Sequence, residues 1–130
     1  MASIRKEVLI DTTPEAAWDA LRDWGAPHER LVPGFVTQTE IDGTDRIVTF
    51  FNGFVARERL VSVDDDQRRL AWSIADGVYE HHNSFAQVLP DGDGRTRFVW
   101  ITDFLPDDSA ERLDGMMERG IGVIGATLGA

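Results

Sequence analysis

Cysteine is absent from this 130-residue chain. That absence excludes disulfide frameworks, thiolate nucleophiles and iron–sulfur ligation together, and it fits a cytoplasmic location. Lysine is almost absent as well. Lys6 is the only one, and it falls in a strand-like segment, so Schiff-base chemistry has no good candidate. No apolar run approaches membrane-spanning length, and residues 1–10 lack the apolar segment of an export signal, so neither membrane insertion nor export is expected. Positive charge is scarce: 13 basic residues against 23 acidic ones give a net charge of −10. Such a surface repels a phosphate backbone, so no nucleic-acid partner is expected; the acidity reads as a solubility device. P-loop, dinucleotide fingerprint and G-x-S-x-G elbow are all missing, so no cofactor is expected. The glycine-rich stretch at residues 120–125 falls late in a helical pattern and cannot present amides to a pyrophosphate after a strand.

What remains is a chain with 42% hydrophobic residues, enough for a core without staples. It reads as one domain over residues 1–130, monomeric or homodimeric. Residues 3–11 alternate with the period of a strand. Thr13-Pro14-Glu15 reads as a helix start, with Thr13 as N-cap and Pro14 at the first helical position. Ala17, Trp18 and Leu21 give that helix a short apolar face. Residues 23–32 form a second brief helix or a structured loop, stopped by Pro33-Gly34.

Six further strands are expected at residues 35–41, 46–51, 54–63, 69–74, 79–89 and 97–105. Their separators, such as Asp42-Gly43, Asn52-Gly53 and Asp76-Gly77, are turn chemistry. Connections this short force antiparallel neighbours. After Pro106, residues 108–111 resemble a capping box opening a long helix. Leu113, Met117, Ile121, Ile124 and Leu128 then form an amphipathic stripe. The fold class is α+β: a curved seven-stranded antiparallel sheet wrapped around one long C-terminal helix, with two short helices after the first strand. A single helix leaves such a sheet incompletely filled, so a cavity is expected between them. The helix glycines 115, 120, 122, 125 and 129 admit two readings, close packing on strands or room for a ligand.

Turn chemistry predicts which side chains point inward. A two-residue turn at Asn52-Gly53 would set Arg46 opposite Arg59, an unfavourable like-charge pair. A three-residue loop of Phe51, Asn52 and Gly53 instead sets Arg46 opposite Glu58. That register gathers Arg46, Val48, Phe50, Phe54, Ala56, Glu58 and Leu60 on one face, the more apolar one. Trp72 with Ile74, and Trp100 with Phe104, should also face inward. Most such aromatics are core; here they can also line a pocket. His81 and His82 are adjacent on a strand and point to opposite faces, so they cannot share an ion. With only His28 besides, no metal site is expected. Which of His81 and His82 faces the cavity stays open at this level.

The run Asp11-Thr12-Thr13-Pro14-Glu15-Ala16-Ala17-Trp18 resembles the opening of polyketide cyclase/dehydrase and START-related proteins, the Bet v 1-like superfamily. So do residues 46–53, Glu58-Arg59-Leu60, Leu70-Ala71-Trp72-Ser73-Ile74 and the stretch from Val88 to Phe104. The likeness spans nearly the whole chain in element order. It implies a helix-grip fold whose cavity takes lipids, polyketides or other hydrophobic molecules. The chain departs from the family in carrying His82 and Trp72 where tyrosines are common. The expected ligand-binding set is Arg46, Val48, Phe50, Phe54, Glu58, Trp72, Ile74, His82, Ser84, Trp100, Phe104, Met117 and Ile121. The leading expectation is binding or carriage of a small hydrophobic or aromatic molecule. The alternatives are an aromatase/cyclase-type enzyme, with Glu58 or His82 moving protons and Arg46 holding an enolate, and a module that binds a protein partner.

Overall fold

The computed structural model of the chain describes residues 2–129. Strand β1 (Ala2–Ile10) is followed by helices α1 (Pro14–Leu21) and α2 (Pro27–Arg30). Strands β2 (Val36–Asp42), β3 (Asp45–Phe50), β4 (Val55–Asp64), β5 (Arg69–Ile74), β6 (His81–Pro90) and β7 (Thr96–Leu105) follow in turn. The long helix α3 (Ala110–Leu128) ends the described chain. The strands form one seven-stranded antiparallel sheet in the order β1-β7-β6-β5-β4-β3-β2. Irregularities between Val36 and Gln38 and between Leu60 and Ser62 interrupt the ladders. Bulges of this kind bend the strands that carry them, and the sheet curves around α3.

The β3–β4 turn sets the register that matters most. The Phe50 N–H donates to the Phe54 carbonyl at 2.8 Å, and the Gly53 N–H to the Phe50 carbonyl at 2.9 Å. Gly53 stands at φ 85°, a left-handed conformation that glycine adopts without steric penalty. The three loop residues therefore place Arg46 opposite Glu58 and Val48 opposite Ala56. All four side chains are buried.

Thr13 caps α1: its Oγ1 accepts the Ala16 N–H at 3.2 Å. Trp18 is buried in the core and its Nε1 donates to Asp65 at 2.9 Å, tying α1 to the β4–β5 turn. The capping box expected at residues 108–111 does not form. A 3-10 turn, Asp107–Ser109, leads into α3, and the Ser109 side chain makes no capping bond. Asp108, three residues before Glu111, lies within that 3-10 turn, and Ser109 stands at φ −78°, ψ −6°, so neither has the extended N-cap backbone that lets a side chain reach the third helical amide.

On α3, Leu113, Met117, Ile121 and Ile124 are buried against the sheet, as the stripe implies, and Leu128 is half-buried. The helix glycines divide by surroundings. A methyl group on Gly120 would lie 2.8 Å from Trp100 and 3.3 Å from Phe35; one on Gly125 would lie 2.9 Å from Val8. At Gly115 and Gly122 it would meet nothing within 4 Å. Close approach of helix to sheet thus explains Gly120 and Gly125. Opposite signs are expected in urea unfolding. Gly115→Ala and Gly122→Ala should each stabilise by about 0.5–1 kcal/mol through helix propensity. Gly120→Ala and Gly125→Ala should destabilise by about 1–3 kcal/mol through overpacking. Stabilisation at all four positions would show that the helix does not press on the sheet as described.

Candidate functional site

Between the concave face of the sheet and α3 lies a cavity of about 210 Å³. Its walls are mostly apolar: Leu31, Val32 and Phe35 from the α2 region, Val48, Phe50, Leu70 and Trp72 from the sheet, and Leu113, Met116 and Met117 from α3. Trp72 and Trp100 lie with ring centroids 6.3 Å apart, both on its wall.

Polar groups enter this lining at a few positions. The Arg46 Nε donates to Glu58 Oε1 at 2.7 Å, and both residues are only 7% exposed. Arg46 Nη1 also donates to the Trp24 carbonyl at 3.2 Å, while its guanidinium carbon stands 3.8 Å from the Trp24 ring centroid and 5.9 Å from that of Trp72. The cation is therefore held by a carboxylate, a carbonyl and two aromatic faces, a set that offsets its desolvation. Deeper along β6 and β7, Ser84 Oγ and Thr102 Oγ1 share a hydrogen bond of 2.6 Å, both hydroxyls buried.

His82 faces the cavity and His81 is exposed. The Ile74 N–H donates to His82 Nδ1 at 3.1 Å, so the neutral ring carries its proton on Nε2. Burial, helped by the neighbouring His81, lowers the His82 pKa to about 4. The ring is neutral at physiological pH and offers the cavity a hydrogen-bond donor rather than a charge. Tyr79, whose ring centroid is 5.3 Å from that of His82, continues the wall toward Arg112.

Eleven of the thirteen residues expected at the site line the cavity: Arg46, Val48, Phe50, Phe54, Glu58, Trp72, Ile74, His82, Ser84, Trp100 and Met117. Phe104 and Ile121 do not line it. Both are buried in packing: Phe104 lies near the end of β7 between β1 and β6, and Ile121 belongs to the close helix–sheet contact. Phe54, expected inside, is 37% exposed and stacks on Phe50 at 5.9 Å, forming part of the rim. Sequence reasoning missed Trp24, Tyr79, Arg112 and Met116. Trp24 lies outside the regular elements, where no periodicity assigns a face. The strand expected at residues 79–89 begins only at His81, so Tyr79 is freed from the alternation that would have set it on the outer face with His81. Met116 and Arg112 precede the stripe residues Met117 and Leu113 by one position, and a wider helical stripe would have caught them. Among the described residues, no group of three or more His, Asp or Glu side chains is placed to hold a metal ion.

The fold recurs in known proteins. Residues 1–127 match the family described as polyketide cyclase/dehydrase and lipid transport. The chain belongs to this family, and its fold is the helix-grip fold of START and Bet v 1-like proteins. Among solved structures it is similar to the protein XoxI from Bacillus cereus, with TM-score 0.88 and 18% identity over 98% of this chain and 96% of that one. A START superfamily protein from Mycobacterium smegmatis superposes with TM-score 0.79 at 11% identity, covering 97% and 96% of the two chains. Norcoclaurine synthase from Thalictrum flavum, in complex with dopamine and hydroxybenzaldehyde, gives TM-score 0.71 at 20% identity over 96% and 84%. No curated protein matches the sequence. Among the described residues no helix is long and apolar enough to cross a membrane.

Proposed function

We propose that this chain is a single-domain cytoplasmic protein, monomeric or homodimeric, that binds and carries a small hydrophobic or aromatic molecule in the cavity. One observation carries the reading: a chamber of about 210 Å³ walled by Trp72, Trp100, Phe50 and aliphatic side chains, with few polar groups along it. Pockets of this composition bury most of an apolar ligand and use their few polar groups to orient it. His82 Nε2 and the Ser84–Thr102 hydroxyls are the groups that would hold one polar substituent of the ligand. The occupation of a norcoclaurine synthase of the same fold by dopamine and hydroxybenzaldehyde is consistent with a ligand of this size.

The enzymatic alternative draws less support from the same atoms. An aldol closure needs a base, and a histidine with a pKa of about 4 is a weak one at neutral pH. Glu58 is already engaged by Arg46. Binding therefore explains the arrangement better than proton transfer.

The test uses the tryptophans. With Trp72 and Trp100 on the cavity wall, a neutral polyaromatic probe is expected to quench intrinsic fluorescence saturably at micromolar concentration. Linear quenching across a varied panel of apolar compounds would mean that the chamber takes no ligand, and the carrier reading would fail.

A further inference from the structure

Asn52 and Phe54 from the β3–β4 loop and Arg112 and Met116 from α3 line the cavity, and Asn52, Phe54 and Arg112 are exposed, so the cavity opens at this edge. A shallow groove continues from it along the helix past Met116 to Arg119 and Phe51. Two exposed arginines mark this entrance. Seven residues apart on one helix, they project from nearly the same side about 10 Å apart along the axis.

Their partners are unusual for this protein. Of 13 lysines and arginines, nine reach a carboxylate among the described residues; the four that do not are Arg69, Arg95, Arg112 and Arg119. In a chain of net charge −10, a cation left without an acid is the exception. Arg112 instead donates to the Tyr79 hydroxyl at 3.4 Å and lies 5.6 Å from that ring centroid. The Arg119 guanidinium lies 3.8 Å over the Phe51 ring. Aromatic faces position both side chains without neutralising them. Asp108 and Glu111 share the groove, yet neither is in ion-pair contact with either arginine. The two acids keep the net charge of the groove low while leaving both guanidinium groups without a bound carboxylate, which suits one incoming carboxylate better than a dianion. The second arginine lining the cavity, Arg46, is already matched by Glu58, so an incoming anion finds its uncompensated cations at the mouth.

We propose that the ligand is an apolar molecule bearing one carboxylate, its body in the cavity and its carboxylate held at the mouth by Arg112 and Arg119. The planar guanidinium fork suits that head group. This inference rests on the cavity-binding reading and adds the head group to it.

Decanoate and 1-decanol share one apolar chain and differ in the head, and both can be titrated into the intact protein by tryptophan emission. Decanoate is expected to bind about tenfold tighter at low salt, with the preference shrinking as salt rises. Combining Arg112→Gln with Arg119→Gln should erase the preference without moving the thermal midpoint. Combining Arg69→Gln with Arg95→Gln removes the same two charges elsewhere and should retain it. Equal saturable affinities for the two probes would overturn the head-group assignment while leaving the cavity reading standing. A preference that survives in the mouth variant, or falls equally in both variants, would overturn it too. If neither probe binds saturably, the head-group assignment falls, and the polyaromatic quenching panel decides the cavity reading separately.

Discussion

Replacing Glu58 with glutamine is expected to lower the unfolding free energy by about 3–5 kcal/mol, the range for breaking a buried ion pair from one side. Arg46 and Glu58 are each 7% exposed, and the 2.7 Å contact between them is the carboxylate partner of the Arg46 guanidinium. Glutamine preserves shape and an acceptor but leaves the cation uncompensated in an apolar chamber. Exposed pairs set the contrast. Breaking Arg22–Asp65, where both side chains are about half exposed or more, should cost only about 0–1 kcal/mol. Because two buried ions stabilise a fold little in net terms, Arg46→Met combined with Glu58→Leu should recover much of the loss. Urea unfolding of wild type, single and double variants at neutral pH measures all three. A Glu58→Gln loss below about 1 kcal/mol would show that the pair is solvated and the burial argument wrong. Ligand titration of the double variant adds a functional arm. Unchanged affinity would confine the pair to structure, and lost affinity in a stable variant would assign it to ligand recognition.

That pair was legible from the sequence because a local rule decided it. Opposing Arg46 to Arg59 is unfavourable, Gly53 supplies the left-handed residue of a three-residue loop, and the resulting register puts the more apolar set inside. The long helix was legible for a similar reason, since Leu113, Met117, Ile121 and Ile124 repeat with helical spacing. What could not be read required distances across elements. Phe104 shares the inward face of β7 with Trp100, and pleating alone cannot show that the sheet and helix close over one and open beside the other. Ile121 packs in the core instead of lining the cavity, and helical spacing alone does not show which buried positions border open volume. Trp24 stands outside any periodic segment, and its stacking on Arg46 arises only when the α1–α2 connection folds over β3. The start of α3 misled for a physical reason as well: a serine in helical geometry is not an N-cap, and sequence spacing does not report φ and ψ.

Mild acid is expected to destabilise the protein through His82, before its carboxylates contribute. In the folded state burial, with His81 beside it, lowers the His82 pKa from 6.5 to about 4. Below pH 6.5 the unfolded chain takes up a proton that the native ring refuses, so acid favours unfolding. The stability of the neutral ring is fully present above the unfolded value and is lost as pH falls through the interval toward the folded one. The slope approaches about 1.4 kcal/mol per pH unit within the interval, and the total is on the order of 3 kcal/mol by pH 4. Glu7 and Asp19 are held below their ordinary values of 4.5 and 3.8 by hydrogen bonds from Arg97 and Arg30, so their losses begin at lower pH. Urea unfolding at pH 7, 6 and 5 therefore isolates the histidine. His82→Asn supplies the control, because its side-chain oxygen can accept the Ile74 N–H yet does not titrate, while His28 and His81 remain in both proteins. The wild type is expected to lose stability across that series and His82→Asn to stay nearly flat. Parallel curves would mean that His82 is solvated and protonates normally. The Nε2–H donor assigned to the cavity would then be a cation in acid, and the neutral lining proposed for an apolar ligand would no longer hold.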